Sequence, residues 1–342
     1  LDLVSLTVSN TGLVQVDVGA TLNLESAATI NGGDLINAGT IQIETTSGAA
    51  LNNVNVINAG GTIQVDCEEA PLVVTLLIGA GTIVTDGTIA IGPVGVLEVD
   101  STAGGTLDDV EVYLSNDGLI QIDNSSMLKL LGGVIIEGGT ISNAGLIEIA
   151  GDSSLSDNDL NNIAIGSILQ INDDQTLTLA SVIISGGTIN NFSDEGGGTI
   201  DVIGHSKITG DANLNNGYVK ISGGVTLTLD NVTVTGAAFD ATAGGAILAV
   251  DCGDALILNG ISIEGGTLDN AGLIEIADDS SLSDIDLNNT AVGSILQVND
   301  GQTLMLDGVI INGGTINNSS GAGGGTIDVT GHSTITGDAN LN

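Results

Sequence analysis

The strongest constraint on this chain is its likeness to itself. Residues 138–215 and 265–342 align without a gap at an offset of 127, with 61 of 78 positions identical. The match persists upstream, where LKLLGGVIIEGGT (128–140) meets ALILNGISIEGGT (255–267). An older echo sets VDCEEAPLVVTLLIGAGT (65–82) against VDCGDALILNGISIEGGT (250–267). Such self-similarity marks residues 1–342 as one tandem array rather than a domain with a linker. The chain begins and ends inside repeats, so an excerpt of a longer protein is expected.

A shorter period runs inside the long one. Segment starts at 128, 152, 176, 205, 226 and 255 give lengths of 24, 24, 29, 21 and 29, or five short units in each 127 residues. In TLTL, VTVTG, GTIDV and LIEIA, aliphatic residues alternate with Thr, Asp, Glu or Ser. Alternation of period two, bounded by Gly, Asn and Asp, marks short strands with one buried face. A unit of about 25 residues cannot bury that face alone and must stack on its neighbours. The expected fold is therefore all-β: a parallel β-solenoid (β-helix) of about 13 coils of 21–29 residues. GG, NAG, NN and DG form its corners, supplying residues that tolerate positive φ. The stretches FSDEGG (192–197) and AFDATAGG (238–245) are expected to be corner insertions.

Composition narrows the function. There are 42 acidic side chains against Lys129, Lys207 and Lys220, no arginine, and a net charge of −39. Nucleic-acid binding needs cations to displace phosphate counterions, so it is excluded. The 42 % hydrophobic content is too high for disorder, and no apolar run is long enough for membrane insertion.

The phrases INAGTIQIE (36–44), SNDGLIQID (115–123), SNAGLIEIAG (142–151) and DNAGLIEIAD (269–278) resemble the N-x-G-x-I coils of filamentous-haemagglutinin-type proteins and autotransporter passenger domains. They are also similar to the glycine-rich, acidic repeats of large secreted bacterial adhesins. The resemblance implies an extracellular, rod-like, adhesive or matrix-forming protein of the bacterial surface. It carries over no catalytic residue.

Other β-helices degrade polysaccharides with carboxylates beside arginine or lysine. Here the three lysines have no counterparts in the 127-residue copy. Asp173–Asp174 and the GHS triplets at His205 and His332 are faint echoes of such sites, but Asp174 becomes Gly301 and both histidines read as surface corners. The four aromatics, Tyr113, Phe192, Tyr218 and Phe239, offer few platforms for sugars. No catalytic, cofactor-binding or dedicated metal residue is assigned. A polysaccharide-binding or polysaccharide-degrading β-helix is the alternative. Cys67 and Cys252 hold matching places about seven coils apart, roughly 35 Å at 4.8 Å per coil, too far for a disulfide. Small core residues are the expected role, with an intermolecular bridge second.

Thirteen and a half coils would make a rod of about 65 Å with roughly one charge per 1.7 Å, near the axial density of duplex DNA. Acidic pairs occur at Glu68–Glu69, Asp108–Asp109, Asp194–Glu195 and Asp278–Asp279, but the aggregate charge matters more than any pair, and diffuse binding of Ca²⁺ or Mg²⁺ with no dedicated cage is expected. Threonine-rich outward faces suggest ice binding, but coil length varies too much for a regular array. The expected partners are flanking domains of the same chain, or other copies stacked end to end.

Overall fold

The computed structural model describes residues 1–66, 72–115, 117–191, 197–318 and 323–342, among which there is no helix. The protein is a parallel β-solenoid of about 15 turns. Two compact units, Leu1–Gln170 and Ile171–Asn342, share this plan.

Each coil places three short strands on three walls. In the first unit, Thr21–Glu25, Ala28–Asn31 and Asp34–Asn37 make one coil, and Thr40–Ile43, Ala49–Asn52 and Asn55–Ile57 make the next. Strands pair in parallel with their equivalents one coil later, so Thr21 faces Thr40 and Ala28 faces Ala49. The alternation seen in the sequence becomes stacking of like on like. On the first wall of unit one, Leu22, Ile41, Ile63, Ile89, Val112, Ile136 and Leu155 lie in register and are all buried. In unit two the same wall stacks Leu177, Ile200, Val219, Phe239, Ile263, Leu282 and Leu306. Each such side chain contributes about 1.5–3 kcal/mol by leaving water.

The coils are shorter and more numerous than expected. Thr21 to Thr40 is a step of 19 residues, and Thr62 to Thr88 a step of 26. Between Val134–Glu137 and its counterpart Ser262–Glu264 the chain passes five further first-wall strands, giving six coils rather than five. The reason is that strands with one buried face look alike on any wall. TLTL at Thr176 lies on the first wall, whereas TLTL at Thr226 lies on the second, in a ten-residue strand, Thr226–Thr235, that continues onto the third. AFDATAGG is not a corner insertion either: Ala238–Asp240 is a first-wall strand with Phe239 buried. FSDEGG lies almost wholly outside the described residues.

Corners follow two rules. At GG and DG the backbone enters the left-handed region, as at Gly138 and Gly139 (φ 78° and 60°) and at Asp86 (φ 60°). NAG differs. Gly145 has no positive φ, but a Cβ there would lie 2.2 Å from the Ser126 carbonyl oxygen of the preceding coil. Its partner Asn143 points inward, 1 % exposed. Asn143 Oδ1 accepts the Gly145 N–H (3.0 Å), while Nδ2 donates to Asn162 Oδ1 (2.8 Å) and the Ile168 carbonyl (2.9 Å). Asn37 with Asn58, and Asn270 with Asn289, repeat this amide stack. The asparagines of NAG are thus buried register pins, not residues chosen for positive φ.

Three outcomes follow for stability in urea. Gly145→Ala should cost about 1–3 kcal/mol by overpacking, whereas Gly12→Ala, with nothing within 4 Å, should be near neutral. Asn143→Asp removes both amide donors and faces carbonyl oxygens, so its carboxyl is held protonated in the fold. Its deficit should be larger at pH 8 than at pH 5, because ionisation above the unfolded pKa is what the fold resists. Asn158 is 1 % exposed with no partner for Oδ1, and its counterpart in the second copy, Ile285, is equally buried. Asn158→Ile should therefore stabilise the chain, by about 1 kcal/mol.

Candidate functional site

The residues singled out in the sequence are dispersed. His205 and His332 are exposed corner residues, and His205 Nδ1 accepts the Thr226 N–H at 3.0 Å. Asp173 and Asp174 sit in a turn, Asp174 at φ 59°. Asp109 occupies a left-handed corner (φ 55°) next to Asp108, which ends a strand. Asp278 and Asp279 are engaged locally: the Asp279 N–H donates to Asp278 Oδ1 (2.9 Å), and Asp279 Oδ1 accepts the Thr303 N–H (2.6 Å). Cys252 is exposed in the turn after Ile247–Val250, so it is not a core residue. The reason is local: Asp251 to Gly253 project outward between two walls. Cys67, Glu68, Glu69, Asp194 and Glu195 lie outside the described residues. Among those described, no three His, Cys, Asp or Glu side chains converge as a metal site would require.

The lysines are more informative. Lys129 lies 3.6 Å from Glu148 on the adjacent strand. Lys220 stands between Asp201 and Asp240 in strand register. Lys207 contacts Asp230 Oδ2 and lies 3.3 Å from Asp251 Oδ2. Asp230 is 1 % exposed, the one charged residue among the buried described positions, and its Oδ1 accepts the Asp251 N–H at 2.9 Å. The Asp230 hydrogen bond holds the Lys207 ammonium above its ordinary pKa, against the opposing effect of burial. Lys207, Asp230 and the Asp251 corner belong to three successive second-wall strands. Asp230 could have been found in the sequence: TLTLDNVTV breaks strict alternation at Asp230–Asn231, where the strand bends onto the next wall.

Two tyrosines form a second kind of group. The Tyr218 hydroxyl donates to Asp240 Oδ2 at 2.6 Å. Desolvation, then that bond, pushes its pKa up to about 12. Asp240 is held below the usual carboxylate range, chiefly by the Thr242 hydroxyl and then by Tyr218. Tyr113 donates to Glu111 at 3.1 Å, and that bond, followed by the Glu111 charge, raises its pKa. Burial, with Asp123 and Asp100 nearby, also raises Glu98.

Open depressions mark both copies. One of about 560 Å³ is bordered by Asp251, Asp269, Asn288 and Thr290; another, of about 390 Å³, by Thr102, Asn124, Met127 and Ile165. The threonine column Thr21, Thr40, Thr62, Thr88 on the first wall ends at Glu111.

No protein-family model and none of the curated proteins matches this chain. Among solved structures it is similar to the crystal structure of a TibC-catalysed hyper-glycosylated TibA55-350 fragment, with 16 % identity and a TM-score of 0.36, over 95 % of this chain and 99 % of that one. Likeness at that level bears on neither family nor activity.

In alkaline titration followed by phenolate absorbance, Tyr218 should ionise last, near pH 12. Asp240→Ala should bring it down toward the ordinary value of about 10. A raised tyrosine pKa adds stability that is present below pH 10 and lost as pH climbs through the folded value.

Proposed function

We propose that the chain is a non-catalytic, extracellular structural segment, the stalk of a bacterial surface adhesin. The observation that carries this reading is the stacking of equivalent residues, coil on coil, in each unit. That plan invests side chains in propagation of a fixed section, while chemistry-bearing groups stay scattered along it. Outward carboxylates keep such a body soluble and oppose side-to-side pairing. The N-x-G-x-I coils supply the adhesin part of the proposal. An end-to-end stacking protomer of a matrix filament is the second version of the same reading. The polysaccharide-binding alternative is favoured only by the depression at Asp251, Asp269 and Asn288.

Electron microscopy of the purified chain, with glycan binding measured in parallel, tests this. Separate elongated particles without saturable glycan binding support the stalk, and long filaments favour the protomer. Saturable binding lost on Asp269→Ala would replace both with the polysaccharide reading. Millimolar calcium should raise the melting temperature more than sodium at equal ionic strength, since divalent ions bridge neighbouring carboxylates. Absence of both a calorimetric heat and a melting shift would remove the diffuse-cation part.

A further inference from the structure

Only 3 of the chain's residues carry a side-chain amine, and one of them is held against the buried carboxylate. Lys207 Nζ faces Asp230 Oδ2, the Asp251 backbone N–H holds Asp230 Oδ1, and the Asp251 carboxylate lies 3.3 Å from Nζ. These are the parts an amide-forming centre needs: a nucleophile, an electrophilic carbon with one oxygen polarised by a donor, and a neighbouring base. The group is not an ordinary feature of the coil, because Lys207 is replaced by Thr334 in the second copy.

We propose that Lys207 and Asp230 join in an intramolecular isopeptide bond, with Asp251 as the proton carrier. The Nζ lone pair attacks Asp230 Cγ while Asp251 accepts a proton from nitrogen. Asp230 Oδ1, held by the Asp251 N–H, becomes the amide carbonyl oxygen. The Cγ–Oδ2 bond breaks, and that oxygen leaves as water with two protons that began on the ammonium. Nothing is oxidised or reduced, and no co-reactant is consumed.

The resting pair is ionic, so the reactive neutral amine and acid are a minor population. A reaction needed once per molecule tolerates a low rate. Fixed proximity supplies much of the barrier reduction, since well-oriented intramolecular groups reach effective molarities of about 10⁵ M or more. The bond would tie two adjacent coils covalently at the bend of Thr226–Thr235, where the chain runs from wall to wall without a break.

The chain's own scarcity of cleavage sites makes the test sharp. With no arginine, trypsin acting on the unfolded chain cuts after Lys129, Lys207 and Lys220, giving four pieces. If Lys207 is acylated, that cut is lost and 130–220 stays attached to 221–342. The expected result is an intact mass lower than the sequence mass by one water, with this branched fragment. Lys207→Arg should restore the full mass, and Asp251→Asn should lower the bonded fraction at least about tenfold, with circular dichroism confirming that both variants fold. A full sequence mass with four tryptic pieces overturns the proposal. So does a loss of water that persists in Lys207→Arg, which would place the dehydration elsewhere, at an Asp–Gly or Asn–Gly corner.

Discussion

Everything in this molecule depends on parallel pairing of each strand with its own equivalent one coil away. Parallel pairing leaves no edge within the stack and sets residues of the same kind one above another. Aliphatic residues therefore recur coil after coil in the first-wall column from Leu22 to Leu155, whereas on the second wall Ile122 stacks on the buried Asn143 and Val250 on the buried Asn270. A corner must likewise leave room for the corner before it, as Gly145 does beneath Ser126. Constraint runs along columns more than along the chain. This explains why the two long copies, though 17 of 78 positions differ, exchange Ile141 for Leu268 and Ile171 for Val298 inside but Ser142 for Asp269 outside.

Fold class was legible because the alternation of period two survives everywhere and the units are too short to bury themselves. The number of coils was not. TLTL at Thr176 and at Thr226 carries the same pattern of burial on different walls, so alternation reports a strand without reporting its wall. Ala238–Asp240 was hidden for a related reason: a three-residue strand beside Ala, Thr and Gly resembles a loop, and only Phe239 betrays an inward position. Register, which joins residues about 20 apart, settles what local pattern cannot.

The candidate sites divide the same way. Exposure of His205 and His332 followed from their corner phrase. The role of asparagine did not, because Asn is read first as a turn residue. Yet Asn143 follows Ile141 by two, and Asn270 follows Leu268 by two, so both continue the inward parity of their strands. A polar residue on an apolar parity, two positions before glycine, is the sign of the amide stack. Lys207 and Asp230 could not be paired from sequence, since their meeting depends on which coils are neighbours.

The amide stack divides the protein's response to its surroundings. Its hydrogen bonds join uncharged groups away from water, so changes of acidity or salt scarcely reach the contacts that keep coils in step. The exterior, carrying nearly all the ionisable groups, answers to those changes at once. Such a body can alter how closely it approaches its neighbours while its own pitch stays fixed, keeping its internal geometry indifferent to the medium that governs its company.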